Sequence, residues 1–202
     1  MAVKKLLLIR HGKTQNNLER RYVDSVDEPL CAEGTQKAIA RQKSGALPPV
    51  RTLISGKALR CSQTTELLFP GMPYAICDMA ETDFGIFKGK SADELTDCAA
   101  YRQWVDTGCQ GDIPGGDNVA EFKQRTCAEF LCIAENCEKN CEENCGEGTT
   151  ALVIHGGNIM AILEAYAVPK RNFYDYHAPN CGFFLCSWEN GVLTILQEGG
   201  TV

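Results

Sequence analysis

Short apolar runs alternate with segments of helical period along most of this chain, and that alternation is what most narrows its fold. Val3–Ile9, Arg51–Ser55, Tyr74–Cys77 and Ala151–Ile154 each read as a short strand of a buried sheet. Helices are expected at Glu33–Ser44, after the loop Asp27-Glu-Pro-Leu30, and at Ala58–Leu68, which Pro70-Gly71 and Pro73 end. One or two short helices fall in Ser91–Thr107, and another spans Asn158–Ala167. Pro114-Gly115-Gly116 marks a turn. Asp117 then serves as N-cap of a long helix to about Cys141, with Val119, Phe122, Thr126, Phe130, Ile133 and Cys137 on one face. Near the C-terminus Phe183–Trp188 and Val192–Gln197 flank Glu189-Asn190-Gly191, and Asn-Gly signals a hairpin. The whole pattern gives an α/β domain on a mainly parallel sheet. No linker or composition break divides the 202 residues, so one domain over 1–202 is expected.

Composition removes several classes of function. A formal net charge of −6 argues against a nucleic-acid surface. No stretch approaches the ~18–20 consecutive apolar residues of a membrane span. The run Leu6–Ile9 after Lys4 and Lys5 is too short for a signal peptide, which makes a cytoplasmic chain the expectation. The 12 Cys lack any C-x-x-C pair and are read as reduced thiols. Cys127, Cys132, Cys137, Cys141 and Cys145 recur at four- and five-residue steps, and the polar segment Glu135–Cys145, which holds the last three, is read as a solvated helix end plus a loop. Cys137, Cys141 and Cys145 along one helical edge could share a soft metal ion. The preferred reading is that they act as small hydrophobes.

In open α/β sheets ligands bind beyond the carboxyl ends of the strands. Arg10-His11-Gly12 follows the first strand, and Ser55 with Arg60 follows the second. His155-Gly156-Gly157-Asn158 follows the fourth. Glycine lets the backbone approach a ligand, arginine offers a planar fork for phosphate, and a helix opening near Asn158 adds free amides. Each of these residues alone has a structural reading. Two His and two Arg at three converging strand ends read together as an anion site. His177, in Asp175-Tyr-His-Ala-Pro179, has no such context and is read as structural. Gly85-Ile-Phe-Lys-Gly-Lys-Ser91 falls one residue short of P-loop spacing, and neither an HExxH nor a G-x-S-x-G motif occurs.

From Leu8-Ile-Arg-His-Gly-Lys-Thr14 onward the sequence resembles the histidine phosphatase superfamily, also called phosphoglycerate mutase-like. Matching segments occur in order: Asn17, Ser55-Gly-Lys-Ala-Leu-Arg60-Cys-Ser-Gln63-Thr64, Glu81-Thr-Asp-Phe-Gly85 with Gly89, Pro114-Gly-Gly116, and Ile154-His-Gly-Gly157. The resemblance implies a three-layer α/β/α sandwich with a cap formed by insertions around 20–30, 85–116 and 171–180. It implies phosphoryl transfer with His11 as nucleophile and Glu81 as proton donor and later base. Arg10, Asn17, Arg60, His155 and the Gly156 amide would bind the substrate's phosphate. It implies no metal and no organic cofactor, and a small phosphorylated metabolite as the partner of a monomer or homodimer.

Only the 31 residues Ile86–Gly116 separate Gly85 from Asp117, and the acidic loop carries Asp83 where a mutase would use a cation. A phosphatase is therefore favoured over a phosphoglycerate mutase, and the presence of His11 and Glu81 disfavours a non-catalytic phospholigand-binding domain. Arg21-Tyr-Val-Asp24-Ser-Val-Asp27-Glu-Pro29-Leu30 resembles the α-ribazole phosphatase group, whose substrate is α-ribazole 5′-phosphate in cobalamin assembly. Related broad-specificity sugar or nucleotide phosphatases share much of that loop.

Overall fold

In the computed structural model of the chain, residues 4–23, 25–143 and 148–200 are described, 136–143 by backbone alone. Strand β1 spans Lys4–Arg10, followed by the short helix α1 (Gln15–Leu18) and by α2 (Ala32–Lys43). Then come β2 (Val50–Gly56), α3 (Leu59–Leu68), β3 (Ala75–Cys77), α4 (Ala99–Asp106) and α5 (Val119–Glu143). The remainder is β4 (Thr149–Ile154), α6 (Gly156–Tyr166), β5 (Ala167–Val168), β6 (Phe183–Glu189) and β7 (Val192–Gly199). The strands form one sheet in the order β3-β2-β4-β1-β6-β7-β5. β1, β2, β3 and β4 run parallel, and β6 lies antiparallel to β1 and β7.

The central strands are apolar on both faces because both faces are covered. Side chains alternate along a strand, so Leu6 and Leu8 of β1 join Leu152 and Ile154 of β4 on one face. There they meet Phe130 and Ile133 of α5 and Ile159 and Ile162 of α6. Leu7, Ile9, Ala151 and Val153 face the other way, against Ala38 of α2 and Cys61 and Leu68 of α3. These two cores make the three-layer α/β/α sandwich that the resemblance implied. A third apolar cluster, Phe87, Leu95, Trp104, Ile113 and Val119 with Tyr22 against it, builds up beyond the sheet.

Several local readings change. Asp117 does not cap α5: Asn118 does, its Oδ1 accepting from the amides of Ala120 at 2.8 Å and Glu121 at 3.1 Å. The Asp117 carboxylate instead accepts from the Asp83 amide at 2.7 Å and is paired with Arg125. Two residues compete for a capping role here, and the loop that needs a staple takes the charged one. Ser91–Thr107 yields one helix, α4, preceded by turns. Helix α1 and strand β5 are too short for a periodic signal. Asn190 and Gly191 adopt φ of 51° and 79°, the left-handed pair of a tight hairpin. The backbone of α5 continues to Glu143, while the side chains of Cys137, Cys141 and Cys145 lie outside the described residues. Cys127 Sγ turns to the Ala161 carbonyl at 3.8 Å.

Candidate active site

Parallel strands end side by side, so the loops at their carboxyl ends converge. Arg10 of β1 is in register with Ile154 of β4, which places the Arg10-His11 loop against His155 and the start of α6. The His11 amide is tied to the Ile154 carbonyl at 3.0 Å, and the two imidazoles stack edge to face at 5.3 Å. A cavity of about 350 Å³ opens here, with Arg10, His11, Arg60, Glu81, His155's neighbour Gly156, and Asn17 at its polar end.

His11 is 3% exposed, and its Nδ1 lies 2.7 Å from the Gly12 carbonyl. A carbonyl can only accept, so Nδ1 carries the proton and Nε2 holds the lone pair. Burial, then the charges of His155, Arg60 and Arg10, push His11 well below the ordinary imidazole value. It is a neutral imidazole with a free Nε2 lone pair, the form that nucleophilic attack needs. His155 is likewise lowered, by burial and by the two arginines. Its Nδ1 sits 3.2 Å from Arg60 Nη2 and 3.6 Å from Glu81 Oε2. An arriving dianion would offset the arginine charges and raise the proton affinity of that nitrogen.

Arg60 is 1% exposed and donates from Nη1 to the Ser25 carbonyl at 2.6 Å. Arg10 donates from Nη1 to the Ala178 carbonyl at 2.8 Å and contacts His177 Nε2 at 2.9 Å. The Nε atoms of both arginines are buried without a protein partner. Unpaired buried donors are costly and mark a place made for an acceptor. Burial raises Glu81 above the ordinary carboxylate value, with Arg60 the main opposing influence. Its Oε1 accepts from the Thr82 amide at 3.0 Å. His11, Glu81 and His155 bring ligand atoms within 4.8 Å of one another, a donor set that a divalent cation accepts. Two guanidinium groups at the same spot oppose a cation and favour an anion.

The matched segments have mechanical reasons. The Gly12 amide donates to Thr64 Oγ1 at 2.8 Å, and Gln63 Oε1 accepts from the Leu30 amide at 2.8 Å, which ties α3 to the nucleophile loop. Ser55 stays buried against Gly56 and takes no part. A Cβ on Gly85 would lie 2.2 Å from the Pro114 carbonyl oxygen, so the Pro-Gly-Gly turn crosses the acidic loop at backbone contact. A Cβ on Gly157 would lie 2.9 Å from Glu81 Oε1 and 3.1 Å from Phe122 Cζ. Gly157→Ala should therefore fold yet displace Glu81, cutting kcat about 10²-fold on an alkyl phosphate with little change in Tm. An unchanged kcat would show that Glu81 is not held there.

Sequence reasoning missed three contributors. His177, read as structural, lines the cavity and holds Arg10; its partial burial, then the Arg10 charge, lower its proton affinity, which suits an acceptor. His177→Ala should lower kcat/KM about tenfold through a loosened Arg10, since a hydrogen bond from a charged group contributes about 1.5–3 kcal/mol. Wild-type kcat/KM in that variant would return His177 to a purely structural role. Asn180 donates from Nδ2 to the His11 carbonyl at 3.1 Å and to Asn17 Oδ1 at 3.0 Å, which leaves Asn17 Nδ2 as the remaining donor. The third is an aromatic wall of Tyr22, Phe84, Trp104, Phe122, Phe173 and Tyr174. A strand-end rule finds none of these, because each lies several residues past the nearest strand end, in a loop or on a helix.

Residues 6–199 match the histidine phosphatase superfamily, branch 1. The chain belongs to that superfamily. Its likeness to named histidine phosphatase superfamily relatives is looser. A protein named probable phosphoglycerate mutase GpmB, from Salmonella choleraesuis (strain SC-B67), is 31% identical over 136 residues. That alignment covers 63% of this chain and 62% of the relative, so the chain spans about three-fifths of the relative's length. The crystal structure of the α-ribazole phosphatase from Shigella flexneri superposes with a TM-score of 0.79 at 19% identity, over 97% of this chain and 96% of that one. Phosphoglycerate mutase from Bacillus anthracis str. Sterne gives 0.80 at 21% identity, over 98% and 93%. At these identities the two structures establish the shared fold.

Proposed function

We propose that the protein is a phosphomonoesterase working through a phosphohistidine. The observation that carries this is one cavity floor holding a lone-pair imidazole, a carboxyl of raised proton affinity and two buried guanidiniums with unsatisfied Nε donors. His11 Nε2 attacks phosphorus, forming the P–N bond as the bond to the leaving oxygen breaks. Glu81 gives that oxygen its proton. The Glu81 carboxylate then takes a proton from water, whose oxygen bonds to phosphorus as the P–N bond breaks, releasing inorganic phosphate and returning the lone pair to His11 Nε2. Arg10, Arg60, Asn17, His155 and the Gly156 amide hold the equatorial oxygens through both steps.

The finer reading is removal of the 5′-phosphate of α-ribazole 5′-phosphate. Its support is the aromatic wall, which suits a planar leaving group, the Arg21–Leu30 loop, and the fold shared with the Shigella flexneri enzyme. Phosphate release would be measured from α-ribazole 5′-phosphate, 3-phosphoglycerate, fructose phosphates, nucleoside monophosphates and p-nitrophenyl phosphate, with EDTA present. A kcat/KM for α-ribazole 5′-phosphate ~100-fold above the rest, about 2.7 kcal/mol of discrimination, supports it. Flat rates discard that substrate and leave the chemistry. Isomerisation of 3-phosphoglycerate outpacing phosphate release would make the chain a mutase.

A further inference from the structure

A second groove, about 530 Å³, lies beside the reaction cavity and shares Arg10, Asn17, Arg21 and His177 with it. Lys13, Arg20 and Lys37 complete its charged lining, and among the described residues no Asp or Glu lines it. Glu33 bridges Lys13 at 2.7 Å and Lys37 at 3.0 Å, so one carboxylate serves two ammonium groups. Arg21 is held by Glu19 and Glu94. Arg20 is exposed and has no side-chain partner among the described residues. A patch of surplus positive charge on a chain of net charge −6 is out of keeping with its surroundings. The reaction does not require it, since Lys13, Arg20 and Lys37 lie outside the cavity that holds His11.

We propose that this groove is a second oxyanion site, which takes a phosphate or carboxylate group next to the one held at His11. Arg10, the wall common to both spaces, then lies between the two anions. Two sources supply such a group: a second anionic substituent on the ester, or the inorganic phosphate released by hydrolysis. The inference goes beyond the phosphomonoesterase reading and is separable from it. The test compares the wild-type chain with Lys13→Gln/Arg20→Gln/Lys37→Gln at low ionic strength, with Arg20→Glu alone as a milder second variant. Two matched pairs serve as substrates: adenosine 5′-monophosphate with adenosine 3′,5′-bisphosphate, and fructose 6-phosphate with fructose 1,6-bisphosphate. For a substrate-borne group, the wild type favours the bisphosphate of a pair about tenfold in kcat/KM and both variants lose that preference, while p-nitrophenyl phosphate is turned over unchanged. For released phosphate, calorimetry with inorganic phosphate gives two sites in the wild type and one in the variants. Parity within both pairs together with a single phosphate site overturns the proposal, as do variants that match the wild type in both arms. If no ester is hydrolysed, the phosphomonoesterase reading falls and the phosphate stoichiometry alone decides the groove.

Discussion

His11→Ala lowers phosphoester hydrolysis by about 10⁴-fold or more, and the protein still folds. The loss is large because, in the proposed mechanism, the ring is the attacking group itself, and no other imidazole is placed to substitute for it. His155 Nδ1 is engaged by Arg60 and stands beside Glu81. The fold survives because the His11 ring has one hydrogen bond, to its neighbour's carbonyl, and the loop is anchored independently through backbone bonds to Ile154 and Cys181. The check is direct: an alkaline denaturing quench during turnover of a radiolabelled ester traps an alkali-stable, acid-labile phosphoryl group on the wild type and none on the variant. A variant within tenfold of wild type would remove His11 from the nucleophile's place.

Glu81→Gln is expected to slow an alkyl phosphate by 10²–10⁴-fold and to spare formation of the phosphoenzyme from p-nitrophenyl phosphate, whose leaving oxygen needs no proton. The pH dependence comes from the two shifts. Glu81 must be protonated to act as acid, and burial raises its value above the ordinary carboxylate range. Attack therefore proceeds at low pH and falls as pH rises through that raised value. His11 is displaced the other way, well below the ordinary imidazole range, so its protonation adds no acid limb near 6.5. Stopped-flow rates of alkyl-ester cleavage against pH should show the alkaline fall in the wild type and a flat line in Glu81→Gln. An alkaline fall that persists in the variant belongs to another group.

The parts of this site that were legible in the sequence are those tied to parallel strands. β1, β2 and β4 are apolar on both faces and short, and the rule that ligands sit past their ends locates Arg10, His11 and His155 directly. Arg60 comes with them because α3 opens where β2 stops. Glu81 follows no strand of comparable length, β3 being three residues, and only the family pattern singles it out. The antiparallel β6 reads as half of a hairpin, yet nothing local says that it pairs with β1 rather than lying at an edge. That pairing brings His177 and Asn180 beside Arg10 and His11, which is why both escaped a strand-by-strand reading. Asp117 and Asn118 are equivalent capping candidates by type, and the demand of the Asp83 amide decided between them.

The strand that leads into His11 is flanked by β4 and β6, whose residues come at 149–154 and 183–189. During synthesis, then, β1 is made well before either of its neighbours. Until Thr149–Ile154 has left the ribosome, its Leu6–Ile9 stretch has both edges bare, a template for pairing with any other extended chain. Such high contact order predicts slow, late closure of the sheet. Under the proposed function, hydrolysis waits for β4 and β6, and a nascent chain stalled before residue 149 is an aggregation hazard without being a partial enzyme.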